Sequence, residues 1–172
     1  MPRTPAIDIP APAPLTALTL QQPCPTDATA MWRLVRDARD LDTNSPHFYR
    51  LWCRDFAATS VVARDKATLC GFVTGFTRPA QPDTLFMWQA AVAPRWQNIG
   101  LARHLLDALA ADQYRFVECT VTPDNTASER CVRAFAHKRG APVRRQPLFS
   151  ADHFPVPGHA PEVLYRVGPL TR

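Results

Sequence analysis

The stretch Leu85 to Leu109, LFMWQAAVAPRWQNIGLARHLLDAL, limits the folds open to this chain more than any other. It opens with the apolar run Leu85–Val92, too short for a solitary helix and suited to a buried strand. Ala93-Pro94 ends the run, because proline has no N–H for a sheet ladder. Leu101, Leu105, Leu106 and Leu109 then recur at helical spacing. The reading is therefore strand, short loop, helix, with Gln97-Asn98-Ile99-Gly100-Leu101-Ala102 at the helix mouth. The first N–H groups of a helix have no internal partner, and the helix dipole adds partial positive charge there. A glycine lets a phosphate approach those amides closely. Arg95 and Arg103 flank the loop with positive charge.

The rest of the chain alternates in the same way. Residues 1–14 are dominated by proline and alanine and read as a flexible tail before one domain over 15–172. Leu15–Leu20 is expected as a short strand. A helix starts at Thr26-Asp27 and runs to Ala38, and Ser45-Pro46 opens a second one with Tyr49, Trp52, Cys53 and Phe56 on one face. Thr59–Ala63 and Leu69–Thr77 read as a hairpin, with Gly71 and Gly75 marking a bulge or a close approach. A loop over 78–83 returns the chain to the central strand. Phe116–Val121 is a strand that can lie parallel to Leu85–Val92 through a right-handed crossover. Thr126 with Glu129 reads as a capping box opening a helix that Gly140 ends, with Ser128, Cys131, Val132 and Phe135 as its buried stripe. Val143–Phe149 and Glu162–Val167 are the last strands, separated by a loop over 150–161.

Composition narrows the function classes. Hydrophobic residues make up 46% and charged residues 20%, so the chain can bury a core. The net charge of +5 would suit a phosphate-rich ligand or nucleic acid. The basic residues are scattered, however, and no nucleic-acid motif is present, so no nucleic-acid partner is expected. Cys24, Cys53, Cys70, Cys119 and Cys131 form an odd set without a C-x-x-C pair, which points to reduced thiols. No run reaches membrane-spanning length and no secretory signal is visible, so a soluble, cytoplasmic location with no membrane partner is expected.

The segment Gln97–Ala102 resembles the (Q/R)-x-x-G-x-(G/A) motif of the GCN5-related N-acetyltransferases, or GNAT superfamily. The element order matches too. The resemblance implies an α/β (α+β) GNAT fold, with a mixed, mostly antiparallel central sheet of about seven strands flanked by about four helices. Acetyl-CoA would be held by Val92, Gln97, Asn98, Ile99, Gly100, Leu101, Ala102 and Asn125. Within the superfamily, the chain from about residue 15 to 170 is similar to the L-2,4-diaminobutyrate acetyltransferases of ectoine synthesis. That likeness rests on Leu41-Asp-Thr-Asn-Ser-Pro46, Phe86-Met-Trp-Gln89, Thr120-Val-Thr-Pro-Asp-Asn125, Pro147-Leu-Phe149, Asp152-His-Phe154 and Gly158-His-Ala-Pro-Glu162.

The resemblance implies acetyl transfer from acetyl-CoA to the γ-amine of 2,4-diaminobutyrate, a small-molecule substrate, in a homodimer. Alternatives are a related acetyltransferase for another small diamine or a peptide amine, and an inactive acyl-CoA-binding module. Diaminobutyrate carries two ammonium groups and one carboxylate, so its pocket needs negative charge. Asp42 and Glu162 are the leading candidates for substrate binding and proton acceptance, with Glu118 as a fallback base. Asn44, His47, Trp88, Thr120 and His159 complete the expected substrate side. A backbone N–H near Val92 would stabilise the oxyanion. His153 is a weaker loop candidate. No His/Cys pair has ligand spacing, so no metal is expected. Two positions depart from the family pattern: His47 and Val132 stand where tyrosines are expected.

Overall fold

The computed structural model describes residues 12–38, 41–110, 113–155 and 158–171. Most of the expected tail, residues 1–11, lies outside them. The expected strand over 15–20 is instead a 3-10 turn at Leu15–Ala17 followed by strand β1, Thr19–Gln21. Helix α1, Ala28–Asp37, begins one step later than expected. Asp27 stands at its N-cap position but turns its carboxylate to the Cys24 N–H (2.9 Å) and to Arg64. Helix α2, Pro46–Asp55, has the expected cap, with Ser45 Oγ accepting from the Phe48 N–H.

Three antiparallel strands follow: β2, Val61–Asp65; β3, Thr68–Arg78; and β4, Gln81–Val92. The expected loop over 78–83 shrinks to a tight turn, because both strands pair almost to their ends, down to Arg78↔Gln81. Helix α3, Leu101–Leu109, leads to β5, Phe116–Val121. Helix α4, Thr126–Lys138, is capped one residue earlier than expected. Asn125 Oδ1 accepts from the Ser128 N–H at 3.0 Å, and Glu129 pairs with Arg133 instead of closing a box. Strands β6, Val143–Phe149, and β7, Glu162–Val167, close the sheet at the expected residues.

The sheet order is β1-β2-β3-β4-β5-β7-β6, and only β4 and β5 run parallel. One face packs on α3 and α4 through Val73, Leu85, Met87, Leu105, Val117 and Phe135. The other carries α1 and α2 over Met31, Val35, Tyr49, Val62, Phe72 and Ala91.

Two irregularities shape the site. First, β4 bulges: Thr74 pairs with Gln89 but Gly75 with Met87, leaving Trp88 as the extra residue. A bulge puts consecutive side chains on one face. Trp88 meets Phe48 and Trp52 of α2, and Gln89 meets Tyr49 of the same helix. Gly75 is needed here, because a Cβ would sit 2.9 Å from the Phe86 carbonyl oxygen. Second, β4 and β5 pair only over Thr84↔Phe116, Leu85↔Val117 and Phe86↔Glu118. Beyond Phe86 the two strands part.

Candidate active site

A cleft of about 450 Å³ lies along the part of β4 that has left β5, lined by β4, the loop over 94–100, the first turns of α3 and α4, and Ala38 and Leu41. Seven of the eight cofactor candidates line it: Val92, Gln97, Asn98, Gly100, Leu101, Ala102 and Asn125. Ile99 does not line it and is 40% exposed. Gly100 takes φ +86° and Asn98 φ +62°, the left-handed region that turns the chain into α3. No side chain caps α3. The first-turn amides therefore have no intrahelical acceptor and lie at the cleft, a ready site for an anion. Gln97 secures the loop by donating from Nε2 to the Val92 carbonyl at 3.0 Å.

Helix α4 supplies the opposite wall. The expected buried stripe is split: Val132 and Phe135 go into the core, while Ser128 and Cys131 line the cleft with Arg130. These three residues add hydroxyl, thiol and positive charge that residue spacing alone did not assign to a site, beside Arg103, which was expected to flank the loop. The signal was the three-residue step Asn125, Ser128, Cys131, which shares one helical face with the cofactor asparagine. No tyrosine lines the cleft among the described residues.

The five thiols are free. Burial pushes Cys131 up to about 11, partly offset by Arg103, and pushes Cys53 to about 11 and Cys119 to about 12. Since the thiolate is the reactive form, alkylation of native protein at pH 8 should label exposed Cys24 first. Peptide mass mapping should find Cys53, Cys119 and Cys131 labelled only slowly, with Cys131 slowed further by coenzyme A.

None of the acceptor-side candidates lines that cleft, although Leu41, next to Asp42, does; they fall into two groups outside it. In the first, Asp42 is exposed and its carbonyl accepts from Gln89 Nε2 at 2.9 Å. Asn44 lies against the buried Tyr49 hydroxyl. Trp88 is 49% exposed and stacks on Trp52 with centroids 6.0 Å apart. His47 is exposed at the start of α2. In the second group, Thr120 pairs with Leu164 and Glu162 opens β7 opposite Phe149. His159 stacks on Phe154 at 3.7 Å, with Nδ1 2.6 Å from the Ala160 carbonyl oxygen. By strand alternation, Thr120 faces the same side of the sheet as Glu118, opposite buried Cys119. His153 is exposed near Phe149, outside both groups.

The carboxylates differ in their freedom. Both oxygens of Glu118 are engaged, one by Arg78 and one by Arg166, and its side chain is only 4% exposed. It has little left to offer an incoming amine. Among the described residues, Glu162 and Asp42 have no side-chain hydrogen bond or ion pair. No group of three or more His, Cys, Asp or Glu residues that could hold a metal occurs among the described residues. Nor is any described helix long and apolar enough to cross a membrane.

The Acetyltransferase (GNAT) family model matches residues 25–140. The L-2,4-diaminobutyric acid acetyltransferase of Streptomyces coelicolor is 48% identical over 160 residues, covering 90% of this chain and 94% of that protein. The chain belongs to the diaminobutyrate acetyltransferases of the GNAT family. A more distant member from Halalkalibacterium halodurans is 39% identical over 159 residues, covering 90% of this chain and 84% of its own. Among solved structures, the diaminobutyrate acetyltransferase EctA from Paenibacillus lautus was determined with L-2,4-diaminobutyric acid and coenzyme A. It superposes with a TM-score of 0.84 at 34% identity, covering 90% of this chain and 96% of that one. The fold of this acetyltransferase is thus the expected GNAT fold, with seven strands and four α-helices among the described residues.

Proposed function

We infer that this protein transfers the acetyl group of acetyl-CoA to the γ-amine of L-2,4-diaminobutyrate. The observation that carries the reading is the cleft at the uncapped start of α3, beside the part of β4 that has left β5. In this reading the diphosphate sits on the amides between Gln97 and Ala102, and Arg103 and Arg130 balance its charge. The pantetheine arm enters where β4 leaves β5, past Val92 and Asn125. Asp42 and Glu162 hold the cationic acceptor, with Asn44, Thr120, His47 and His159 beside it and Trp88 as a wall against water.

The chemistry follows from that placement. The γ-nitrogen attacks the thioester carbon, forming the C–N bond. The C–S bond then breaks and the thiolate leaves. The carbonyl oxygen becomes anionic and takes a hydrogen bond from the main chain near Val92. An alkyl amine with pKa about 10 is nearly all protonated at pH 7, and each unit costs about 1.36 kcal/mol. Glu162, directly or through water, receives the proton. Because the free amine is the reacting species, kcat/KM for the diamino acid should rise between pH 7 and 9, by at most about tenfold per unit. A flat profile measured by thiol release would mean that amine deprotonation does not limit the reaction.

The γ-acetylated product suits a cyclising enzyme of ectoine synthesis, which ties this reaction to osmotic protection in the cytoplasm. We also propose a homodimer, supported by exposed Leu148 and Phe149 on β6, the terminal strand of the sheet. Light scattering across a dilution series should give twice the chain mass; a monomer at all concentrations would remove that part.

The experiment that tests the activity is an acceptor series. Thiol release from acetyl-CoA should be fastest with diaminobutyrate, slower with ornithine and lysine, and NMR should place the acetyl group on the γ-nitrogen. Preference for ornithine, or no thiol release at all, would overturn the assignment.

A further inference from the structure

The segment with Asp42 and Asn44 is mostly exposed, yet it is tied to the sheet through half-buried Gln89 and buried Tyr49. Gln89, on the β4 bulge, donates from Nε2 to the Asp42 carbonyl at 2.9 Å. Its other amide atom, Oε1, accepts from the Tyr49 hydroxyl at 2.9 Å. The side chain and main chain of Asn44 lie against the same hydroxyl. Burial raises the Tyr49 pKa, and Asn44 and Gln89 pull it partly back.

Tyr49 is itself packed into the core. It is fully buried, its ring meeting Phe48 edge-on at 5.2 Å and Phe72 at 6.4 Å. Gln89 is held at its main chain, where its carbonyl accepts from Thr74 Oγ1 at 3.2 Å. One phenol thus connects the Asp42–Asn44 segment to a candidate far along the sequence, Trp88, through the bulge that Trp88 shares with Gln89. Core packing alone needs a ring here, not a hydroxyl. A phenylalanine would fill the same space and leave Gln89 Oε1 and Asn44 without their partner.

We propose that Tyr49 and Gln89 are the positioning residues of the acceptor site, fastening the Asp42–Asn44 segment to the bulge that carries Trp88 and so setting affinity for the diamino acid. The proposal rests on the reading of this opening as the diaminobutyrate site. Tyr49 acts through Asp42 and Asn44, so its loss acts on one substrate only. The cofactor cradle runs from Gln97 to Ala102, along a loop that Gln97 ties to the Val92 carbonyl, and neither hydrogen bond of the Gln89 side chain reaches it.

The test is steady-state kinetics of Tyr49→Phe, Gln89→Ala and the double variant. Tyr49→Phe should raise KM for diaminobutyrate about tenfold, the scale of one lost buried hydrogen bond. KM for acetyl-CoA should stay at the wild-type value and kcat should change far less. Gln89→Ala should do the same without touching the core, and the double variant should be no worse than the more affected single one, since both break one relay. A purely structural role would lower the melting temperature and move both KM values, or neither. An unchanged KM for diaminobutyrate in both single variants, or a parallel rise for both substrates, would overturn the proposal. Should Tyr49→Phe fail to fold, Gln89→Ala decides the matter alone. Absence of wild-type turnover would instead strike the assigned reaction.

Discussion

Gly100→Asp should bind coenzyme A about 100-fold more weakly than wild type by calorimetry, while its circular dichroism spectrum stays native. Crowding is not the cause. A Cβ on Gly100 would meet nothing closer than the Arg103 guanidinium, at 3.5 Å. Two other effects add instead. The φ of +86° strains any residue with a side chain. The new carboxylate would also sit among the amides that the diphosphate needs and pair with Arg103, withdrawing a cation from the cleft. Gly100→Ala separates these terms, since it keeps the strain without the charge, and should lose no more than about tenfold. Equal, small losses for both variants would mean that the diphosphate binds elsewhere.

Glu162→Gln should lower kcat/KM for diaminobutyrate about 30- to 100-fold, leaving KM for acetyl-CoA and the melting temperature nearly unchanged. The substitution is nearly isosteric, and Glu162 gives no hydrogen bond or ion pair to the fold among the described residues, so stability has little to lose. What it removes is the negative charge offered to an ammonium group and the acceptor for its proton. The equivalent change at Glu118 should behave in the opposite way. There the carboxylate joins Arg78 on β3 to Arg166 on β7, and neutralising it leaves two guanidiniums facing each other. Wild-type kinetics for Glu162→Gln, measured with both substrates varied, would remove that residue from the site.

The contrast between these two glutamates shows where reading the chain stops. The strand-turn-helix from Leu85 to Leu109 was legible because its signals are local: an apolar run, a proline, a glycine and a leucine stripe. Strands β5, β6 and β7 began and ended where alternation and turn residues said, for the same reason. Which residue caps α4 was not legible, because Asn125 and Thr126 are both good caps and only the fold decides that Asn125 reaches the Ser128 N–H. The bulge at Trp88 left no mark in LFMWQAAV. It comes from the register with β3, where Gly71 and Gly75 gave only a general hint of close approach. The parting of β4 from β5 is likewise a pairing that fails to continue, and no residue announces it. Glu118 looked like a spare base because its two arginines lie 40 and 48 residues away. Charge compensation across a sheet is a tertiary fact. So is the Tyr49 relay, whose partners sit on a loop, a helix and a bulge.

The most direct measurement is a crystal structure with coenzyme A and diaminobutyrate bound together. The diphosphate should lie on the amides between Gln97 and Ala102. The γ-nitrogen should point toward the sulfur, within about 3–3.5 Å of the position of the thioester carbon, with Asp42 and Glu162 against the ammonium groups. A diphosphate bound away from the α3 start, or a substrate presenting its α-amine to the sulfur, would contradict this assignment of the site.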